Sequence, residues 1–522
     1  MARPPVGSVT PMMQQYLAIK EQHPDELLFY RLGDFYEMFF DDALTASREL
    51  ELTLTGRDCG LPERAPMCGV PYHAVDTYIT RLIEKGYRVA ICEQMEDPAL
   101  AKGLVKREIT RIVTPGTVTD QSALSERQNN FLASVCIEGK RAGLAYTDVT
   151  TGEFYVRQLS NEERELRGAL AAIDPREIIT NAPDTVHPLS EASIGSCPQT
   201  AFRGANASDM LCEHFGVNSL TALGLDATLL PAAHAAGALM RYLSETQKNA
   251  MTHITALRIL SENQTMPLDA ATRRNLELTE GLHSRTTRGS LLWLLDKTAT
   301  AMGGRLLRRW VEQPLLSRAA IEQRLNAVSA LYDNHVLSER LYDILRNVYD
   351  MERILSKVSY NTLNARDCLA LLRSLKQVPP LQALLADDAC APVCAALGEL
   401  DPISGLAQLL ENAINPDAPL QITEGAVIRE GYNAQLDEFR QATTQGKQWL
   451  SDLEAKEREE TGIKTLRIQY NRVFGYYIEV TKSYYNLVPL RYQRRQTLAS
   501  SERFTTDELR QIESKITGAQ EQ

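Results

Sequence analysis

No run of apolar residues in this chain approaches the roughly 18 needed to cross a bilayer. The start, Met1-Ala2-Arg3-Pro4-Pro5, also lacks the apolar core of a secretory signal. No membrane role follows, and the chain is expected in the cytoplasm. Paired cysteines are missing too. The nine that occur are scattered, odd in number and without a Cys-x-x-Cys pair, a pattern of reduced thiols and not of a disulfide framework. Cys390 and Cys394 lie closest, but no histidine stands at zinc-ligand spacing, so no metal is expected there. An excess of positive charge is absent as well: 56 Lys+Arg face 67 Asp+Glu, a net charge of -11. A chain this acidic grips nucleic acid only through concentrated basic patches. Finally, no Gly-x-x-x-x-Gly-Lys-Ser/Thr phosphate loop is present, and Gly462-Ile463-Lys464-Thr465 has the wrong spacing to replace one. No nucleotide site, bound cofactor or catalytic residue is expected in these residues.

What is there divides into several parts, since 522 residues are too many for one core and suggest about three to five domains. Short strand and helix patterns alternate up to about residue 115. Thr10-Pro11 opens a helix that buries Met13, Tyr16 and Leu17. Leu27 to Tyr30 reads as a buried strand, Gly33-Asp34 breaks it, and a helix is expected next. Phe35 and Glu37 then sit at a strand-to-helix corner. A rigid phenyl ring at such a corner can enter a base stack, and a neighbouring carboxylate can accept a hydrogen bond from a base edge. The plainer reading makes Asp34 and Glu37 an acidic capping box and Phe35 a core residue.

Beyond the turn Thr114-Pro115-Gly116-Thr117, strands are expected over 131–136, 142–149 and 154–156, with a hairpin turn at Glu138-Gly139-Lys140 and a helix from Glu162 to Ile173. From about residue 266 the pattern is helical, as in Leu306, Leu307, Trp310 and Val311, with Arg308 and Arg309 on a solvated or domain-facing surface. Pro314 and Pro379-Pro380 divide this stretch into separate helices. Between Thr423 and Glu460 no proline occurs, and one helix of roughly 55 Å is expected. Leu466 to Tyr470 and Tyr476 to Val480 then alternate as two strands at the tip of that arm. Thr505-Thr506-Asp507-Glu508 caps a returning helix.

Charge is unevenly spread. Residues 1–115 hold thirteen basic and seventeen acidic side chains, a net of -4. Residues 461–500 hold Lys464, Arg467, Arg472, Lys482, Arg491, Arg494 and Arg495 against Glu479 alone, a net of +6. Phosphate is the natural partner of so local a reversal of sign.

The block Gly33-Asp34-Phe35-Tyr36-Glu37-Met38-Phe39 resembles the motif of the MutS family of DNA mismatch-repair proteins. Further blocks follow in the family's order: Gly69-Val70-Pro71-Tyr72-His73, Ile91-Cys92-Glu93-Gln94, Arg111 to Thr117, Asp269 to Glu277, and Arg494 to Leu498. The resemblance runs along essentially the whole chain and implies a multidomain α+β protein. A mismatch-recognition domain would occupy 1–115, an RNase H-like connector 116–265, a helical core and lever 266–442, a clamp 443–503, and a returning lever helix 504–522. It gives Phe35 the role of wedge beside a mispaired base and Glu37 that of its hydrogen-bond acceptor. The basic residues of 461–500 become the grip on the duplex backbone. The expected partners are double-stranded DNA with mismatches or small loops, a second copy of the full-length protein and a MutL-type repair protein. ATP and Mg²⁺ belong to the C-terminal ATPase of full-length members, which this sequence is expected to lack. Two rivals are a metal-dependent nuclease of RNase H-like type, with Asp148 holding Mg²⁺, and a MutS-like binder of branched DNA.

Overall fold

The computed structural model describes residues 9–521 except 97–102, 121–122, 249–250, 262–263, 387–390, 397–399, 472–474 and 498–499. The chain forms two compact units, Met1–Ala407 and Gln408–Gln522.

The first sheet joins β1 (Leu27–Leu32), β2 (Phe35–Phe39), β3 (Thr55–Arg57), β4 (Ala65–Pro71), β5 (Val89–Gln94) and β6 (Arg107–Val113) in the order β3-β4-β2-β1-β5-β6. Alternation along the strands feeds two cores. Phe29, Tyr36 and Met38 pack under α2 (Phe40–Leu50) and α3 (Val75–Glu84), while Leu28, Tyr30 and Phe39 pack under α1 (Pro11–Gln22). The expected helix after Gly33-Asp34 is therefore a strand, and the helix begins only at Phe40. The reason is periodicity: Phe-Tyr-Glu-Met-Phe alternates, so as a strand it sends Tyr36 and Met38 to one core and Phe39 to the other. Gly33, at φ +58°, supplies the left-handed residue of a two-residue hairpin turn. Asp34 and Glu37 thus form no capping box.

The second sheet has the order β11-β10-β7-β8-β9-β12. Its members are β7 (Phe131–Glu138), β8 (Arg141–Asp148), β9 (Glu153–Ser160), β10 (Glu177–Thr180), β11 (Ser193–Gly195) and β12 (Arg258–Ile259). The three long strands are antiparallel, as the hairpin pattern of the sequence led one to expect, and β10, which the sequence reading did not include, joins β7 in parallel. Helices α4 (Glu163–Ile173), α5 (Pro183–Val186), α6 (Gly204–Phe215) and α7 (Leu230–Gln247) accompany it. The nearly all-buried α7 crosses β8 so closely that a Cβ on Gly143 would stand 2.0 Å from the Pro231 carbonyl oxygen.

The two sheets are joined through Glu177. Its carboxylate, fully buried, accepts from Tyr242 Oη at 2.5 Å, from the Gly116 amide at 2.9 Å and from the Thr114 hydroxyl. Arg88 donates from Nη2 to Tyr242 Oη at 3.1 Å, and its Nη1 lies 3.3 Å from Glu26 Oε1.

Short helices follow: α8 (Ala270–Asn275), α9 (Leu291–Leu295), α10 (Ala301–Glu312), α11 (Arg318–Asp333), α12 (His335–Leu345), α13 (Met351–Ser359), α14 (Ala365–Leu375), α15 (Val378–Leu385), α16 (Ala391–Ala396) and α17 (Ser404–Ala413). Pro314 falls between α10 and α11, and Pro379-Pro380 in the first turn of α15. In α10 the buried residues are Gly304 and Arg305, while Leu306 and Trp310 are exposed. Arg305 forks onto Asp350 at 2.7 and 2.8 Å, reaches Glu352 at 2.6 Å and donates to the Glu126 carbonyl at 2.9 Å. Arg309 faces the second sheet, where it binds Glu153 and Tyr155.

In the second unit, α18 spans Ala434–Thr461, 28 residues or roughly 42 Å. It is shorter than the expected 55 Å because Gly425, Ala426 and Gly431 take positive φ, which interrupts the helix, and Asn433 then caps it through the Leu436 amide at 3.1 Å. A sheet of order β13-β14-β16-β15 follows, from β13 (Arg467–Asn471), β14 (Gly475–Thr481), β15 (Gln493–Thr497) and β16 (Ser501–Thr505). The Thr506 hydroxyl caps α19 (Asp507–Glu521), which packs back along α18 through Ile516 at Gly446 and the Lys456 to Glu508 pair.

Candidate nucleic-acid interface

Phe35 opens β2 at the hairpin tip and is 47 % exposed. Residues two apart on a strand share a face, so Phe35 and Glu37 point to the same side. Further along, α1 covers that face at Phe39, but it leaves the tip open. The ring is thus neither core nor at a helix start. Glu37 is held from both sides by register: it stands opposite Tyr30 on β1 and Gly69 on β4. A Cβ on Gly69 would come within 3.2 Å of the Tyr36 carbonyl oxygen and 3.4 Å of Glu37 Cγ, so the glycine leaves the carboxylate its room. Arg57 of β3 pairs with Glu37 through a hydrogen bond from Nη1. Around the turn, the Asp34 carbonyl accepts from the Tyr72 amide at 3.0 Å, and the Arg31 guanidinium lies 4.0 Å from the Tyr72 ring centroid. Between Phe35 and Glu37, Tyr36 turns inward, where burial and then the Glu93 carboxylate to which its hydroxyl donates push its pKa up, keeping it a neutral donor.

The basic residues of the second unit divide into two sets. Lys464, Arg467, Lys482 and Arg495 are exposed and make no ion pair among the described residues. Arg491 instead pairs with Glu457 at 2.7 Å and Glu460 at 2.6 Å, and Arg494 Nε lies 3.0 Å from Glu502. Arg472 lies outside the described residues. Arg495 falls at the irregularity in the β15 to β16 register, between Arg494 and Gln496. Arg503, beyond the stretch singled out by charge, stacks 4.3 Å from the Tyr477 ring centroid, opposite Glu479.

Asp148, the rival nuclease's metal ligand, is a structural acceptor. Fully buried, it takes hydrogen bonds from the Thr150 amide and hydroxyl at 2.9 and 2.7 Å, and from Asn129 Nδ2 and the Asn130 amide at 2.9 and 3.1 Å. Its lone pairs are engaged in holding the loops around the second sheet, which leaves the nuclease reading without its metal ligand.

Three models of known families match in sequence: MutS domain I over residues 10–122, MutS domain II over 130–255 and MutS domain III over 271–515. Among curated proteins, the DNA mismatch repair protein MutS of Ruminiclostridium cellulolyticum is 49 % identical over 99 % of this chain and 60 % of its own length. That of Lachnoclostridium phytofermentans is 46 % identical over 99 % and 56 %, and that of Pelotomaculum thermopropionicum 49 % over 98 % and 60 %. The chain belongs to the MutS family. It spans about 60 % of the length of these MutS relatives. Within this MutS chain, Phe35 and Glu37 lie in the part matched by domain I, and the basic tip lies in the part matched by domain III. Sequence reasoning gave Arg57 no role and named Gly69 only within a family-like block, without its place beside Glu37. Arg57 is 20 residues from Glu37 in a three-residue strand within a stretch that reads as loop, so only the sheet order brings the two together.

Proposed function

We propose that this chain recognises mispaired or unpaired bases in duplex DNA, as the DNA-reading part of a mismatch-repair protein. The observation that carries the reading is the half-exposed Phe35 ring at a hairpin tip, two residues from a carboxylate fixed by register on the same face. A wedge must unstack a base step, which costs on the order of a few kcal/mol and less at a mismatch, so deformability selects the site. Glu37 then accepts a hydrogen bond from the displaced base, exchanging Arg57 for it. Lys464, Arg467, Lys482 and Arg495 supply attraction to phosphate that is blind to sequence, while Arg491 and Arg494 hold the tip together through their carboxylates. Phe35→Ala is expected to abolish preference for a mismatched over a paired duplex in a fluorescence-anisotropy titration, with paired-duplex affinity retained. Unchanged discrimination would overturn the wedge.

The division into a reading domain (1–115), an RNase H-like connector (116–265), a helical lever (266–442) and a clamp (443–503) with its returning helix belongs to the same reading. The strand order β9-β8-β7-β10-β11 supports the connector, and the α18 to α19 pair supports the lever. The chain itself binds and does not catalyse. ATP and Mg²⁺, a homodimer and a MutL-type partner belong to the full-length protein in the cytoplasm. The presence of a Phe and a Glu on one face favours mismatch reading over a role on branched DNA.

A further inference from the structure

We infer that Cys136, Glu138 and His234 form a binding site for a transition-metal ion, with Zn²⁺ the fitting ion, between the second sheet and α7. On β7, Cys136 and Glu138 are two residues apart and share the face that α7 covers. His234, in the second turn of α7, reaches the same point: its Nδ1 lies 2.5 Å from Glu138 Oε1, and Cys136 Sγ lies 3.7 Å from that oxygen. All three potential ligand atoms fall within 4.8 Å of one another, the one such group among the described residues.

The donor set suits the ion. Thiolate, imidazole and carboxylate bind Zn²⁺ at roughly 2.3, 2.0 and 2.1 Å in tetrahedral geometry, which sets ligand atoms about 3.3 to 3.6 Å apart. The sulfur-to-oxygen separation already nearly matches. The nitrogen-to-oxygen separation must widen, and the Glu138 side chain, 41 % exposed against 11 % for His234, is free to rotate and make that room. The thiol side is closed by the core, whereas the carboxylate side opens to solvent and gives an entry path and a place for a fourth, water ligand. Gly204 leaves the His234 ring its room from behind: a Cβ there would come within 3.1 Å of Nε2. Metal binding replaces the imidazole-to-carboxylate hydrogen bond, with His234 taking the tautomer that carries its proton on Nε2 and leaves Nδ1 free to coordinate, and displaces the Cys136 thiol proton, which leaves to solvent. The cysteine spacing gave no hint of this, because the histidine comes from a helix 96 residues beyond Glu138.

The 522-residue protein, freed of metal with a chelator, is titrated with Zn²⁺ against a chromophoric competitor and separately with Co²⁺. The expected result is one tight equivalent, a sulfur-to-cobalt charge-transfer absorption, and a rise in Tm with bound metal. Cys136→Ser should remove the charge-transfer band. His234→Gln and the solvent-facing Glu138→Ala should each weaken binding by about tenfold or more, and Glu138→Ala keeps the test open should a core variant fail to fold. Zn²⁺ binding unchanged by Glu138→Ala and His234→Gln, or a cobalt complex without the thiolate band, would overturn the site. None of these readouts depends on DNA.

Discussion

Phe35 and Glu37 share a face but differ in how they are presented. The ring is open to solvent, whereas the carboxylate is only 16 % exposed and already has a cation beside it. Under the proposed function Arg57 would have two effects: it neutralises a negative group brought near phosphates, and it occupies the acceptor a base would use. Arg57→Gln is expected to weaken binding to paired duplex by roughly 1 kcal/mol, the scale of a partly exposed ion pair. Glu37→Gln in the same chain should restore most of that loss, because the uncompensated charge is then gone. The four affinities form a double-mutant cycle. Additive effects would show that the pair plays no part in DNA binding. The tip cations call for a different measurement: Lys464→Ala, Arg467→Ala, Lys482→Ala and Arg495→Ala should each flatten the dependence of log affinity on log salt by about one, alike for paired and mismatched duplexes. Arg491→Ala should instead lower Tm, since it leaves Glu457, 1 % exposed, without its cation.

Among the elements, the hairpin β1-β2 and the packing of α7 carry the most. The second sheet accepts α7 only because residue 143 has no side chain, so Gly143→Ala should destabilise the first unit by roughly 1 to 3 kcal/mol or more, read as a lower urea midpoint. His253 gives a pH signature. Its Nε2 bonds the Val149 carbonyl oxygen at 2.8 Å, and burial lowers its pKa below the ordinary value of 6.5. The unfolded chain takes up the proton first as pH falls, so stability from the neutral ring is full above about pH 6.5 and is lost below it. Tm should therefore drop between about pH 7 and pH 5, and His253→Gln should reduce that drop; an identical drop in the variant would assign it to other groups.

Elements with a strict period were legible in the sequence, among them the hairpin of β7 and β8, the helix after β9 and the β13-β14 pair. The stretch after Gly33 was misread because two signals competed, an acidic residue three positions before another and an alternation of aromatics, and burial on two faces decided for the strand. The start of α18 was misplaced because Gly425 and Gly431 break a helix as effectively as a proline. At the candidate site, Phe35 and Glu37 were singled out by a local motif that resembles the family's, whereas the division of the tip cations into those with and without an ion pair among the described residues needed positions of Glu457 and Glu502 that no spacing reveals.

For the first unit as a whole, the decisive feature is the segment between its two sheets. Arg305 donates to the Glu126 carbonyl, Arg353 donates to those of Ser125 and Gln128 at 2.9 and 3.0 Å, and Arg127 pairs with Asp296 at 2.8 Å. Arg305→Met should take the fork from Asp350, which keeps only Arg353 at 3.8 Å, and from the part-exposed Glu352, and cost roughly 1 to 3 kcal/mol, with faster amide hydrogen exchange in α10 and α13; unchanged exchange would show that the fork does not brace these helices.

Residues 125–128 are held by Arg305 and Arg353 and tied by Arg127 to Asp296, so this stretch is fastened to the helices that carry those arginines. Under the proposed wedge role, a load on the hairpin that reached residues 125–128 would be handed by hydrogen bonds to α10 and α13.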